Sequence, residues 1–203
     1  MPDGGPVVLI NAFELPPEES NKRFLAAWRP SRDFMAERAG FLDTALHRSL
    51  EPDAEFRFVN LAHWRSPADL QAAVADPGFP GRGMPWRAHA SLYQVIAEDP
   101  PAGDPAPPDS VVLINLFEVP DADDDEFVPA WEGARAVMRG RPDYLWTRLH
   151  RSLAPDAEFR FVNVAGWRNP DSFRFAIEDP GFREASVRIP GRPHPGLYQV
   201  VHR

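Results

Sequence analysis

Every second residue of EFRFVNLAHW (residues 55–64) is apolar but for one asparagine, and the pattern returns 103 positions later in EFRFVNVAGW (residues 158–167). A period of two predicts a strand in each copy. It puts Phe56, Phe58, Asn60, Ala62 and Trp64 on one face, and Phe159, Phe161, Asn163, Ala165 and Trp167 on the matching face of the second copy. VVLINAFEL (residues 7–15) is an apolar strand on both faces, with Val7, Leu9, Asn11 and Phe13 on one and Val8, Ile10 and Ala12 on the other. Both faces should therefore be covered. A helix follows, with acidic residues early, where its dipole favours them, and with Phe24 and Trp28 four apart on one face. Pro30 is expected to kink or divide it, with the helix resuming over 32–38. Gly40 ends it, and two strands run around the turn Glu51, Pro52, Asp53, Ala54. Ser66 and Pro67 read as the N-cap and first residue of a second helix. After a Pro/Gly-rich excursion (residues 79–90), SLYQVIAED (residues 91–99) closes the unit.

The order β-α-β-β-α-β is that of a ferredoxin-like split unit, with two helices on one face of an antiparallel sheet. VVLINLFEVP (residues 111–120), an acidic helix start at DADDDEF, Trp131 and GLYQVVHR repeat the whole pattern, with Gly133 where Pro30 stood. Residues 1–98 and 111–203 thus form two ferredoxin-fold domains, joined by DPPAGDPAPPDS (residues 99–110), whose prolines make it extended and semi-rigid. Each sheet keeps one apolar face that its own helices cannot cover. Packed sheet to sheet, two such α+β repeats make an intramolecular dimeric α+β barrel, so the chain is expected to be a monomer with pseudo-dimeric halves.

The net charge of −8 argues against nucleic-acid or anionic-membrane partners, which need clustered positive charge. With no cysteine there is no disulfide, thiolate nucleophile or iron–sulfur cluster. The N-terminal apolar run is too short for a signal peptide or a span, which makes a cytoplasmic location the expectation.

Each copy of the strand offers one amide and one indole, Asn60 with Trp64 and Asn163 with Trp167, on an otherwise apolar wall. An unmet buried amide costs about 1–3 kcal/mol, so the repetition of the pair points to a pocket. These residues carry a resemblance covering nearly all of both repeats. Each half resembles an antibiotic biosynthesis monooxygenase domain, and most of all the cofactor-independent anthrone oxygenases of aromatic polyketide pathways. The resemblance implies a functional Asn on the first strand, an Asn late in the third and a Trp four positions on: Asn11, Asn60 and Trp64, then Asn115, Asn163 and Trp167. Phe13, Phe58, Leu70 and Trp86 are expected to line the first pocket, and Phe161 and Phe173 the second. Leu70 and Phe173 stand where related members often carry a tyrosine, and no histidine follows either DPGF segment as the haem-degrading branch requires.

The resemblance thus implies a monooxygenase that needs no cofactor and uses O₂ as co-substrate on a small aromatic polyketide. Neutral Asn and Trp donors suit that chemistry, because they favour developing negative charge without titrating. His47 and His150, in the repeated LHRSL, are the candidate bases, although as strand residues they can equally face away from the pocket. His89, His194 and His202 form no spaced set with carboxylates, and no metal is expected. The alternatives are a polyketide cyclase or a non-catalytic aromatic-ligand-binding protein of the same fold.

Overall fold

The computed structural model describes residues 5–101, 107–120 and 123–203. The first repeat comprises β1 (Val7–Phe13), α1 (Asn21–Ala36), β2 (Phe41–Ser49), β3 (Phe58–Trp64), α2 (Pro67–Ala75), a 3₁₀ turn (Pro80–Gly83) and β4 (Ala88–Asp99). The second comprises β5 (Val111–Glu118), α3 (Asp124–Arg139), β6 (Tyr144–Ser152), β7 (Phe161–Trp167), α4 (Pro170–Ile177), α5 (Pro180–Ser186) and β8 (Arg192–His202). All pairings given for β1, β2 and β3, and for β5, β6 and β7, are antiparallel. Along the hydrogen bonds the strand order is β4-β1-β3-β2 in the first repeat and β8-β5-β7-β6 in the second. The chain is α+β, with two ferredoxin-like repeats, as expected.

Compactness divides the chain differently from repetition. One compact unit holds Met1–Gln94 with Val200–Arg203, and the other holds Val95–Gln199. The cause is strand length: β4 and β8 run for 12 and 11 residues against 7 in β1, and their C-terminal ends join the other repeat's unit. Asp99, the first residue of the proline-rich linker by composition, is the last residue of β4 and is buried. Residues 102–106 of that linker lie outside the described residues, as do residues 121–122 of the acidic helix start.

In the first unit α1 starts at Asn21, later than its composition suggests, because Ser20 is the N-cap and accepts from the Arg23 amide. Glu18 and Glu19 therefore precede the helix instead of filling its first turn. Pro30 does not divide it: α1 is continuous for 16 residues. The carbonyl a proline leaves unpaired is that of the residue four before it, and both Ala26 and Pro30 are exposed, so water can take that bond. α3 is likewise continuous, with Pro129 on its exposed side. α2 begins as expected, with Ser66 Oγ accepting from Asp69 N at 3.2 Å and Pro67 in the first turn.

The helices of each unit cover one face of its sheet. In the first, Phe24 of α1 stacks on Phe58 of β3 at 4.2 Å and meets Phe13 of β1 edge-on at 5.0 Å. The second unit repeats this with Phe127, Phe161 at 4.0 Å and Phe117 at 4.9 Å. Such aromatic pairs add about 0.5–1.5 kcal/mol beyond the area they bury. The α2 side of the first unit has its own cluster, in which Leu70 and Ala73 pack on Trp64, Ala62 and Val7. In the second unit the segment after α4 forms the extra helix α5, capped by Asp179. Its first-unit counterpart is only a 3₁₀ turn, rich in glycine and proline. No helix among the described residues is long and apolar enough to cross a membrane.

Candidate functional site

Between the two apolar clusters of the first unit runs a short polar row. Asn11 of β1 faces Asn60 of β3 directly in the ladder, and Leu46 of β2 is Asn60's partner on the other side. Since Phe58 and Trp64 on the same face of β3 meet α1 and α2, this row lies on the helix-covered side of the sheet. Strand alternation is enough to align Asn60, Trp64 and Phe58. Phe56, by contrast, lies outside β3, and its ring meets His89 edge-on at 5.3 Å.

A third member of the row was not singled out from the sequence. Thr44 of β2 donates from Oγ1 to Asn60 Oδ1 at 2.9 Å and lies 3.0 Å from the Leu61 carbonyl. A bulge in β2 between Phe41 and Asp43 sets this up. Phe41 pairs with Trp64 and Asp43 with His63, so the extra residue, Leu42, lets both Phe41 and Thr44 lie on the helix side. Thr147 repeats the contact with Asn163 at 2.8 Å and the Val164 carbonyl at 3.1 Å, after the same bulge in β6. The sequence did hold a signal, since Thr44 and Thr147 are equivalent in the two repeats. The bulge hides it, because simple alternation carried from Phe41 puts Thr44 on the wrong face.

The chemistry available in each row is that of neutral donors and acceptors. Asn60 commits its oxygen to Thr44, so the Nδ2 end of the amide, with two protons, points the other way. The Trp64 ring is wholly buried, and its Nε1 has no hydrogen-bond partner among the described residues; Trp167 Nε1, at 1% residue exposure, is in the same position. Oδ1 of Asn11 and Oδ1 of Asn115 are also buried without a partner among the described residues. Each such atom costs about 1–3 kcal/mol, and both repeats retain the same two.

The remaining expected residues divide between the two clusters. Phe13 and Phe58 belong with Phe24 at the α1 end, and Phe161 belongs with Phe127. Leu70 packs on Trp64, and Phe173 meets Trp167 edge-on at 5.6 Å. Trp86 lies with the first of these clusters, around Phe24, where its N–H is donated to Glu19 Oε2 at 3.1 Å and Arg23 lies over its ring.

The surroundings of the two indoles differ. Trp64 has Phe41 edge-on at 5.4 Å, whereas Trp167 has Tyr144 at 5.6 Å. The Tyr144 hydroxyl donates to Asp99 Oδ2 at 2.8 Å, and Asp99 is clamped by Arg135 at 2.6 Å and by Arg139. The Arg135 guanidinium holds the Asp99 carboxyl below the usual carboxylate range. Burial, then the bond to Asp99, pushes the Tyr144 phenol up, so it stays protonated. On the opposite face of the sheet, His63 and Asp43 pair at 2.7 Å in the first unit. The second unit has Trp146 lying over Gly166, where any Cβ would collide with the indole nitrogen.

The histidines fall elsewhere. His47 pairs with Val59 in the ladder, so it occupies the face away from Asn60, and it is buried. Burial lowers its pKa to about 4, which makes it a neutral ring and not a base of the row. His89 and His194 each bond to one carboxylate: Glu14 at 2.7 Å and Glu118 at 2.8 Å. Among the described residues no three His, Cys, Asp or Glu side chains are grouped to hold a metal.

Fold and row together define a tandem ferredoxin-like α+β protein that carries one polar row per repeat beneath its helices. Residues 6–80 and 110–188 each match the antibiotic biosynthesis monooxygenase family, and the chain belongs to that family. Among solved structures, an anthrone oxidase-like protein is similar at a TM-score of 0.77 and 19% identity, covering 99% of this chain and 93% of its own. A monooxygenase-like protein from Listeria innocua has a TM-score of 0.54 and 11% identity, covering 98% and 96%. At those identities the likeness establishes the fold. SnoaB, a cofactor-independent oxygenase from Streptomyces nogalater, matches 47% of this chain and 96% of its own at 24% identity and a TM-score of 0.40. No curated protein matches the sequence.

Proposed function

We propose that this protein is a cofactor-independent monooxygenase that oxidises an anthrone-type aromatic polyketide to a quinone with O₂. The observation that carries the reading is the duplicated row, in which Asn60 with Trp64, and Asn163 with Trp167, keep neutral N–H groups under a helical cover. Asn60 and Trp64 lie four residues apart on one strand, about 13 Å between Cα atoms, which is the scale of a flat three-ring molecule.

An anthrone needs no electron donor but itself. Loss of a proton from its methylene gives a delocalised oxyanion that passes one electron to O₂, and the carbon radical and superoxide then combine. The carbon–oxygen bond forms, the peroxide is protonated, and loss of the second methylene hydrogen with cleavage of the O–O bond gives the ketone and water. One anthrone and one O₂ yield one quinone and one water. In this reading Asn60 and Asn163 orient the substrate oxygen through Nδ2. Trp64 and Trp167 donate to the oxyanion or the peroxide, and Asn11 and Asn115 accept from a substrate hydroxyl. Neutral donors held in a dry site stabilise charge where it develops without needing to reorganise. The row itself contains no group that titrates near neutrality, so the acidity of the substrate supplies the first proton loss.

The test is O₂ uptake by the purified, dialysed protein with a dihydroxyanthrone. One O₂ consumed per quinone formed, with labelled oxygen in the new carbonyl and no dependence on added flavin, metal or reductant, is the expected result. Binding of the anthrone without O₂ uptake would refute the oxygenase reading and leave a binding protein or cyclase.

A further inference from the structure

The geometry points to Tyr144 as the residue that makes the second row select a ring bearing a neutral hydroxyl at its indole end, whereas the first row selects one without. This deepens the oxygenase reading above, on which it rests for the reaction, and names the substrate feature that separates the two rows. Phe41 pairs with Trp64 in the ladder at the place where Tyr144 pairs with Trp167. Both rings meet their indole edge-on, at 5.4 and 5.6 Å. The packing is thus alike, and the second row gains one oxygen.

Charge fixes where the proton on that oxygen goes. Asp99 holds Arg135 Nη2 on Oδ1 at 2.6 Å and Arg135 Nε on Oδ2 at 2.9 Å, with Arg139 also on Oδ1. Between two guanidiniums it is a carboxylate and has no proton to give. The 2.8 Å contact between Oδ2 and the Tyr144 hydroxyl is therefore a donation from the tyrosine. Each Asp99 oxygen then has two donors, which fills its accepting capacity and leaves nothing for a ligand. The phenol oxygen, its one proton committed, keeps its lone pairs and can only accept. Tyr144 is half-buried, so a ligand can reach it. The Trp167 N–H beside it can only donate, and it is buried with no partner among the described residues.

A fixed donor next to a fixed acceptor suits one group, a hydroxyl that accepts from the indole and donates to the phenol oxygen. A carbonyl there meets the indole alone, and an ionised oxygen faces the lone pairs of Tyr144. The first row has the opposite preference. Trp64 packs there with Val7, Leu70 and Ala73, and Phe41 offers no acceptor. A hydroxyl placed at Trp64 finds a donor for its oxygen and no acceptor beside it for its proton, and an unmet buried donor costs more than a typical bond gains.

Two ligands of matched shape test this: anthraquinone with an ethyl group, or with a hydroxymethyl group, at the end of its long axis. They exchange a methyl for a hydroxyl that stays neutral. Each is titrated into the full chain, and the indole N–H NMR signals of Trp64 and Trp167 report the two rows separately. Those signals are assigned by their loss in Trp64→Phe and Trp167→Phe. At Trp167 the hydroxymethyl ligand is expected to bind about fivefold tighter than the ethyl one, the size of one net hydrogen bond. At Trp64 the order should reverse. Tyr144→Phe installs the ring that the first repeat carries at this place, and it should reverse the order at Trp167 while leaving Trp64 as it was. The same order at both rows, or a hydroxymethyl preference at Trp167 that survives Tyr144→Phe, would overturn the proposal. Absent O₂ uptake with a dihydroxyanthrone while these preferences hold would refute the oxygenase reading and leave the hydroxyl selection to a binding protein. If neither ligand moves either indole signal, both fall.

Discussion

His47 makes the separation between a buried histidine and a catalytic one measurable. Its ring lies on the sheet face away from Asn60, with Nδ1 3.3 Å from the Val59 carbonyl, which can only accept, so Nδ1 carries the proton. Burial lowers the pKa from 6.5 to about 4, and the nearby Arg203 charge adds to this in a smaller way. Between those two values the unfolded chain takes up a proton that the folded chain refuses. Stability is therefore undiminished above pH 6.5 and is lost as pH falls towards 4. For this one group the loss relative to neutral pH is about 2 kcal/mol at pH 5 and about 3 kcal/mol at pH 4. Asn in place of His47 can reach the same carbonyl with its amide nitrogen and does not titrate. Urea unfolding of the native chain and of His47→Asn at pH 7 and pH 5 reads the difference directly, because every other titrating group is common to both proteins. The stability gap between the two should shrink by about 2 kcal/mol on going to pH 5. Turnover of a dihydroxyanthrone by His47→Asn should keep the native kcat and the native pH profile. A gap independent of pH would show that the ring is not held neutral by burial, and a collapse in kcat with intact folding would return His47 to the mechanism.

The other predictions concern the rows and their supports. Asn60→Ala is expected to lower turnover about a hundred- to a thousandfold at the first row, the usual effect of losing one donor to a developing oxyanion. Asn163→Ala should remove only a minor part, because Tyr144 and Phe173 crowd Trp167; equal halving by each variant would mean two equivalent sites. Trp64→Phe keeps most of the packing and removes an N–H with no partner among the described residues. Thermal unfolding should show stability held or raised while turnover falls, and unchanged turnover would mean that the indole N–H has no part in the reaction. Phe24→Ala empties the centre of the α1 cluster and should cost about 3–5 kcal/mol in denaturant unfolding. A cost under about 1 kcal/mol would mean that the site can collapse around the lost ring.

Much of this molecule follows from periodicity. The two-residue alternation in residues 55–64 and 158–167 determined that Asn60 and Trp64, and their counterparts, share a face, because a strand admits only that arrangement. The repeat determined two ferredoxin-like units, and Ser66 with Pro67 marked the start of α2. Local signals were weaker where solvent decides the outcome. Pro30 reads as a break, yet α1 continues through it with Ala26 and Pro30 on its exposed side, where water can take the freed bond, and exposure is a tertiary property. Parity likewise fails wherever a residue is inserted. The bulges at Phe41/Asp43 and Tyr144/Trp146 reset the faces of β2 and β6, and only the cross-strand register reveals that Thr44 and Thr147 reach the amides while His47 turns away. The assignment of strand ends was tertiary too. Val95 and the residues after it extend β4 into the second unit because hydrogen-bond pairing, not sequence repetition, defines where a sheet ends. Sequence thus determined which side chains each strand carries. Pairing between distant strands decided which of them meet, since register is a relation between two segments and neither segment contains it alone.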